Sequence, residues 1–123
     1  MPRFVILEHR WDGVHWDVML ESGDALRTWA VDAPIASGVL LPARALADHR
    51  LAYLDYEGPI SGDRGTVRRL DRGTYEAKVW TPDRVVVVLA SDRFAGEAEF
   101  RAQDSGGSAG SLAGWTFRLG NVV

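Results

Sequence analysis

The chain contains no cysteine. That excludes disulfides, thiolate metal ligands and a cysteine nucleophile, so any metal must be held by His, Asp, Glu, backbone or water. With only three histidines present, each carries unusual weight. A basic surplus is also missing: the formal net charge is −3. This argues against wholesale coating of nucleic acid, which needs a broad basic surface, but leaves room for a small local site for a phosphorylated end. Long apolar runs are absent too. Stretches such as Val85 to Ala90 have strand length, and nothing is long enough to span a membrane. Met1-Pro2-Arg3 leads straight into Phe4 to Leu7, too short for a secretory h-region, so a cytoplasmic protein is expected. Nor is there a P-loop, a Gly-x-Ser-x-Gly elbow, a His-Glu-x-x-His or a dinucleotide fingerprint.

What is present is ordinary for a globular chain: 123 residues, 46% hydrophobic and 25% charged. One domain over residues 1–123 is expected, able to bury a core without staples. Phe4 to Glu8 reads as a first strand, and Trp11-Asp12-Gly13 as a turn requiring positive φ. Val14 to Glu21 and Ala25 to Val31 complete a meander around the Ser22-Gly23-Asp24 turn. Ala43 to Asp48 fits a strand or a helical turn, with strand favoured by the β-rich surroundings. Thr66 to Leu70 and Thr74 to Trp80 read as a hairpin about Asp71-Arg72-Gly73. Arg84 to Ala90 reads as a strand buried on both faces, Glu97 to Ala102 as an alternating one, and Trp115, Phe117 and Leu119 as a last one. Asp104 to Gly114, rich in Gly and Ser, reads as a mobile loop. The expected fold is all-β: a small closed or partly open antiparallel barrel of about eight strands, or a sandwich, with short helical turns. Five tryptophans suit large rings filling a small barrel.

The chemistry concentrates between Glu8 and Glu21. In a strand, His15, Asp17, Met19 and Glu21 share one face, while Trp16, Val18 and Leu20 share the other. A hairpin brings His9, at the end of the first strand, near His15 and Asp17. Two imidazoles and a carboxylate leave open positions on Mn²⁺, Fe²⁺ or Zn²⁺. A His-x-Asp pair is also commonly just hydrogen-bonded, and spacing alone leaves both readings open. His49 with Tyr53 is the second constellation. The imidazole suits a general acid or a phosphate contact, or equally a surface histidine beside a half-buried tyrosine. Arg68, Arg69 and Arg72 suit a nucleic-acid backbone, or no more than solubility.

In order, Phe4-Val5-Ile6-Leu7-Glu8-His9, His15-Trp16-Asp17, Leu20-Glu21, Trp29-Ala30-Val31, Asp48-His49, Leu51, Tyr53, Asp55-Tyr56-Glu57-Gly58, Gly65-Thr66-Val67 and Asp71-Arg72-Gly73-Thr74 resemble the 3′-phosphoesterase domain of bacterial DNA ligase D. The resemblance covers nearly the whole chain and implies a standalone, divergent member: a β-barrel that binds Mn²⁺, with Zn²⁺ or Fe²⁺ as alternatives. It would trim 3′ ends of DNA or RNA to a 3′-hydroxyl during end repair by non-homologous end joining. On the family's pattern, His9, His15 and Asp17 fall on metal ligands, His49 on the catalytic histidine and Tyr53 on its neighbour. Glu21, Arg50 and Arg64 are the candidate substrate contacts, and a ligase or polymerase is the implied partner.

Several positions depart from that pattern. Met19 stands where an arginine is usual, Ala33 lies where Pro-Lys-Gly is replaced by Asp32-Ala33-Pro34, and Leu41 falls near another usual basic position. The segment that fuller members carry before the first barrel strand, used for removing ribonucleosides, is also expected to be missing. Charge-assisted contacts are worth about 1.5–3 kcal/mol each, so losing several lowers turnover by orders of magnitude unless Arg44, Arg50 or Arg64 compensates. A shifted substrate, such as a smaller phosphoester, also fits these departures. The competing expectation is a non-catalytic module that keeps the metal site and docks to nucleic acid or to a repair partner.

Overall fold

A computed structural model describes residues 1–103 and 114–120. Residues 104–113 of the expected Gly/Ser loop lie outside the described residues. The chain forms β1 (Arg3–Arg10), β2 (Val14–Ser22), β3 (Ala25–Val31) and β4 (Leu40–Arg50), then a 3-10 turn at Leu51–Leu54 and a short β5 (Gly58–Pro59). It continues with β6 (Thr66–Trp80), β7 (Arg84–Ala90), β8 (Gly96–Ala102) and β9 (Trp115–Leu119). Eight of these strands run in the order β1-β2-β3-β4-β9-β8-β7-β6, and β6 returns to β1, closing the ring. All the strand pairings are antiparallel. The fold is barrel-like, as the strand spacing implies, and the stretch Ala43 to Asp48 is strand throughout.

The ring closes through a feature that differs from the sequence expectation. Thr66 to Trp80 is one continuous strand, with no reversal at Asp71-Arg72-Gly73. Its first half pairs with β1 and its second with β7, the two partners overlapping at Thr74. Two irregularities bend it: Leu70 is an extra residue opposite Ile6/Leu7, and Lys78 an extra residue opposite Val86/Val87. Bulges of this kind increase local twist and coil. Asp71 resembles a turn former but is buried. Its Oδ2 accepts from the Ser91 hydroxyl at 2.6 Å and the Phe94 N–H at 2.7 Å, tying the β7–β8 connection to the strand. Gly73 has a steric purpose, because a Cβ there would collide with the carbonyl oxygen of Ala90.

The barrel interior holds Phe4, Ile6, Val18, Leu20, Trp29, Val31, Val85, Val87, Phe100 and Phe117, with Trp29 stacked on Phe100 at 4.0 Å between ring centroids. Only Trp29 among the five tryptophans is fully buried. Trp16 and Trp115 pack against the core at its margin, while Trp11 and Trp80 are exposed. Rings filling the barrel therefore account for three of the five. Of the four valines in β7, three are buried and Val88 is half-buried.

A second, smaller core lies on the outer face of β1–β3. Val5, Leu7, Met19 and Leu26 are buried there beneath Leu54 and Val67, with Leu51, Tyr53 and Ile60 packed at the edge. This explains why Phe4, Val5, Ile6 and Leu7 are all buried in succession. Alternate residues serve the barrel interior and the outer core. Replacing Gly73 with alanine should cost about 1–3 kcal/mol, the usual range for overpacking. It would appear as a lower midpoint of thermal unfolding. An unchanged midpoint would mean that the Ala90 backbone yields freely.

Candidate metal centre and adjoining groove

The β1–β2 hairpin makes His9 and His15 direct cross-strand partners, with Asp17 opposite Leu7. The connecting turn takes the expected positive φ at Asp12 (52°) and Gly13 (106°). His9 Nδ1 lies 3.1 Å from His15 Nε2 and 3.5 Å from Asp17 Oδ2, and His15 Nε2 lies 3.1 Å from Asp17 Oδ1. His9 Nε2 stands 2.9 Å from the Arg64 carbonyl. A carbonyl can only accept, so this nitrogen carries the proton and neutral His9 presents an Nδ1 lone pair to the cluster.

Asp17 is 2% exposed, and its Oδ1 has no hydrogen-bond partner. The 3.1 Å approach of His15 Nε2 is close enough for contact but outside hydrogen-bond alignment. A buried carboxylate oxygen without a partner is costly, and a cation between the three side chains would satisfy it. Ligand bonds of about 2.0–2.2 Å hold neighbouring donor atoms about 3–3.5 Å apart, which the observed separations match. The residues fit a divalent ion, and their N₂O donor set suits Mn²⁺, Fe²⁺ or Zn²⁺.

Burial raises the Asp17 carboxyl, but contacts with His15 and His9 outweigh it and hold it below its ordinary range. Hydrogen bonding to Asp17 raises His9 above 6.5, against an opposing effect of burial. In the metal-free protein the His9–Asp17 pair therefore contributes fully only between the ordinary carboxylate and imidazole values. That contribution fades as pH falls through the Asp17 pKa, or rises through the His9 pKa.

His49 reaches the same side of the sheet through a bulge. Leu46 pairs with Thr28 but His49 pairs with Leu26, so β4 carries one extra residue. Regular alternation from Arg44 would have turned His49 away, whereas with the extra residue both Asp48 and His49 line the groove. His49 Nδ1 lies 2.9 Å from the Ala47 carbonyl and so carries a proton, leaving Nε2 for a ligand. The Tyr53 ring meets the imidazole edge-on, with centroids 5.7 Å apart.

A groove of about 430 Å³ joins these parts, lined by His9, His15, Asp17, His49, Tyr53, Arg44, Arg50 and Arg64, with Met19, Ile60 and Val67 as apolar wall. Glu21 does not line it. Its carboxylate accepts from the Arg3 N–H at 2.8 Å and its carbonyl from the Tyr75 hydroxyl. Ala33 and Leu41 pack on the barrel core, so their apolar character removes no charge from the groove; Met19 alone among the three departures does. The sequence expectation passed over Trp11, which lines the groove beside His9. The available signal was its position in the turn between two candidate ligands. Arg68 and Arg69 contact Glu8 and Glu57, and Arg72 lies 3.6 Å from Asp55.

The DNA Ligase D 3′-phosphoesterase domain family matches residues 7–101. The chain belongs to that family. It is 33% identical over 102 residues to the multifunctional non-homologous end joining protein LigD of Mycobacterium bovis, and equally to the multifunctional non-homologous end joining DNA repair protein LigD of Mycobacterium tuberculosis. The match covers 76% of this chain and 13% of each relative, so the chain spans a small part of their length. Among the described residues, no helix is long and apolar enough to cross a membrane.

Because a bound ion must displace any proton on the ligand nitrogens of His9 and His15, Mn²⁺ affinity should rise with pH until both imidazoles are neutral, His9 being held protonated to higher pH by Asp17. Asp17, already ionised, adds no dependence near neutrality. Isothermal titration at several pH values checks this, and a profile that stays flat from acid pH through neutrality would exclude the two imidazoles as ligands.

Proposed function

We propose that this domain is a metal-dependent phosphoesterase acting on 3′ ends of DNA or RNA, converting a 3′-phosphate to a 3′-hydroxyl fit for ligation. The observation that carries the reading is the single groove shared by His9, His15, Asp17, His49 and three arginines, in a chain of this family. His9, His15 and Asp17 would hold Mn²⁺, with Zn²⁺ or Fe²⁺ as alternatives. The ion, when bound, polarises a phosphoryl oxygen and lowers the pKa of an attacking water.

The remaining work falls to side chains. Arg50 and Arg64 bind the phosphate, and Arg44, which lines the same groove and is bonded to Asp32 at 3.0 Å, contributes beside them. Guanidinium groups suit this because they present several donors at once to phosphate oxygens. These arginines supply the positive charge that Met19 does not. In its doubly protonated form His49 gives the Nε2 proton to the departing oxygen and is left neutral, its Nδ1–H still on the Ala47 carbonyl. Tyr53 steadies the imidazole edge-on and donates its hydroxyl to the same phosphate. Glu21, turned to Arg3 and Tyr75, takes no part. The implied setting is DNA-end repair by non-homologous end joining, the process named for the LigD relatives, beside a ligase or polymerase partner. The alternative of a non-catalytic docking module draws support from Met19 alone.

A 3′-phosphate primer-template with Mn²⁺ tests the reading through release of inorganic phosphate. Replacing His49 with alanine should lower that release about 10²–10⁴-fold, the range for general acid–base groups. Undiminished release from the variant would remove His49 from the chemistry, and none from the unaltered protein would favour the docking module. Replacing His15 with alanine should abolish both release and stoichiometric Mn²⁺ binding.

A further inference from the structure

Neither ion binding nor proton transfer accounts for Trp11. Its side chain is 49% exposed, an unusual disposition for a ring whose burial is strongly favourable. The indole lies nearly parallel to the His9 imidazole, with centroids 6.1 Å apart and planes 20° apart. It is also held firmly. The Trp11 N–H donates to the Gly13 carbonyl at 3.0 Å within the positive-φ turn. From the other side, Gly65 packs so closely on the Arg10 carbonyl and Trp11 Cβ that a side chain there would collide with both. A half-exposed aromatic on a fixed backbone therefore stands at the lip of the groove, beside the candidate ion seat.

The groove, at about 430 Å³, lies in the range that accommodates drug-sized ligands and has room for more than a phosphate. A flat π-face is a sequence-tolerant platform for any nucleobase, because every base presents one. Arg64, whose carbonyl holds His9, also lines the groove, its guanidinium bonded to the Ser61 carbonyl at 2.7 Å.

We infer that Trp11 is a stacking shelf for the terminal nucleobase of the bound 3′ end. The inference rests on the phosphoesterase reading for its ligand. It makes Trp11 a specificity residue, directing the groove toward nucleotide ends and away from small phosphoesters.

The test uses fluorescence anisotropy with Mn²⁺ and His49→Ala protein, so that turnover does not consume the ligand. The probes are 3′-phosphorylated primer-templates ending in a normal nucleotide or in a tetrahydrofuran abasic analogue. With Trp11 intact, the base-bearing end should bind about 5- to 150-fold more tightly, as base–aromatic stacking supports. Trp11→Ala should bring the ratio near one, and Trp11→Phe should keep most of it. Equal binding of the two ends, or a ratio unmoved by Trp11→Ala in protein of unchanged melting temperature, would overturn the inference. Phosphate release is read separately on the His49-containing protein. Release without base discrimination sinks only the shelf; discrimination without release sinks only the phosphoesterase reading.

Discussion

The buried carboxylate of Asp17 is the constraint around which the rest is arranged. A carboxylate with so little access to water carries a desolvation penalty of several kcal/mol unless charge or hydrogen bonds offset it. The hairpin register supplies the partners by setting His9 opposite His15, two residues along β2 from the acid. The Arg64 carbonyl fixes the outer nitrogen of His9, so the segment carrying Arg64 is tied to the same cluster. What remains is one carboxylate oxygen, Oδ1, without a hydrogen bond and 3.1 Å from His15 Nε2, while Oδ2 lies 3.5 Å from His9 Nδ1.

The scaffold makes such a site affordable by burying both faces of β1 and β2. The inner face joins the barrel core, and the outer face is capped by the 3-10 turn and the strands beyond it. Asp17 thus sits on rigid, doubly packed strands, the support that precise sites require. Local departures from regular pairing then aim the other groups. The β4 bulge turns His49 into the groove, and the bulges of β6 coil that strand enough to close the ring.

Much of this was legible in the residues, and the limits were physical. Period-two alternation separates His15 and Asp17 from Trp16 and Val18 correctly, because backbone geometry alone fixes that pattern. It cannot tell what covers the second face, since Leu54, Ile60 and Val67 arrive from distant sequence. Asp71-Arg72-Gly73 has the composition of a turn, yet ring closure holds it in a continuous strand, where its glycine relieves a backbone contact. Counting by twos would send His49 the wrong way, because a single extra residue inverts the face. Leu41 and Ala33, counted as lost charges on the family pattern, face the barrel core instead. Arg44, in register with Ala30 beside Asp17, lines the groove.

The central claim is that one divalent ion sits between His9, His15 and Asp17. Diffraction from crystals grown with Mn²⁺, recorded with anomalous signal from manganese, tests it most directly. One strong anomalous peak is expected within bonding distance of His9 Nδ1, His15 Nε2 and the Asp17 carboxylate. A map with no peak there, or with its strongest peak elsewhere on the protein, would contradict it.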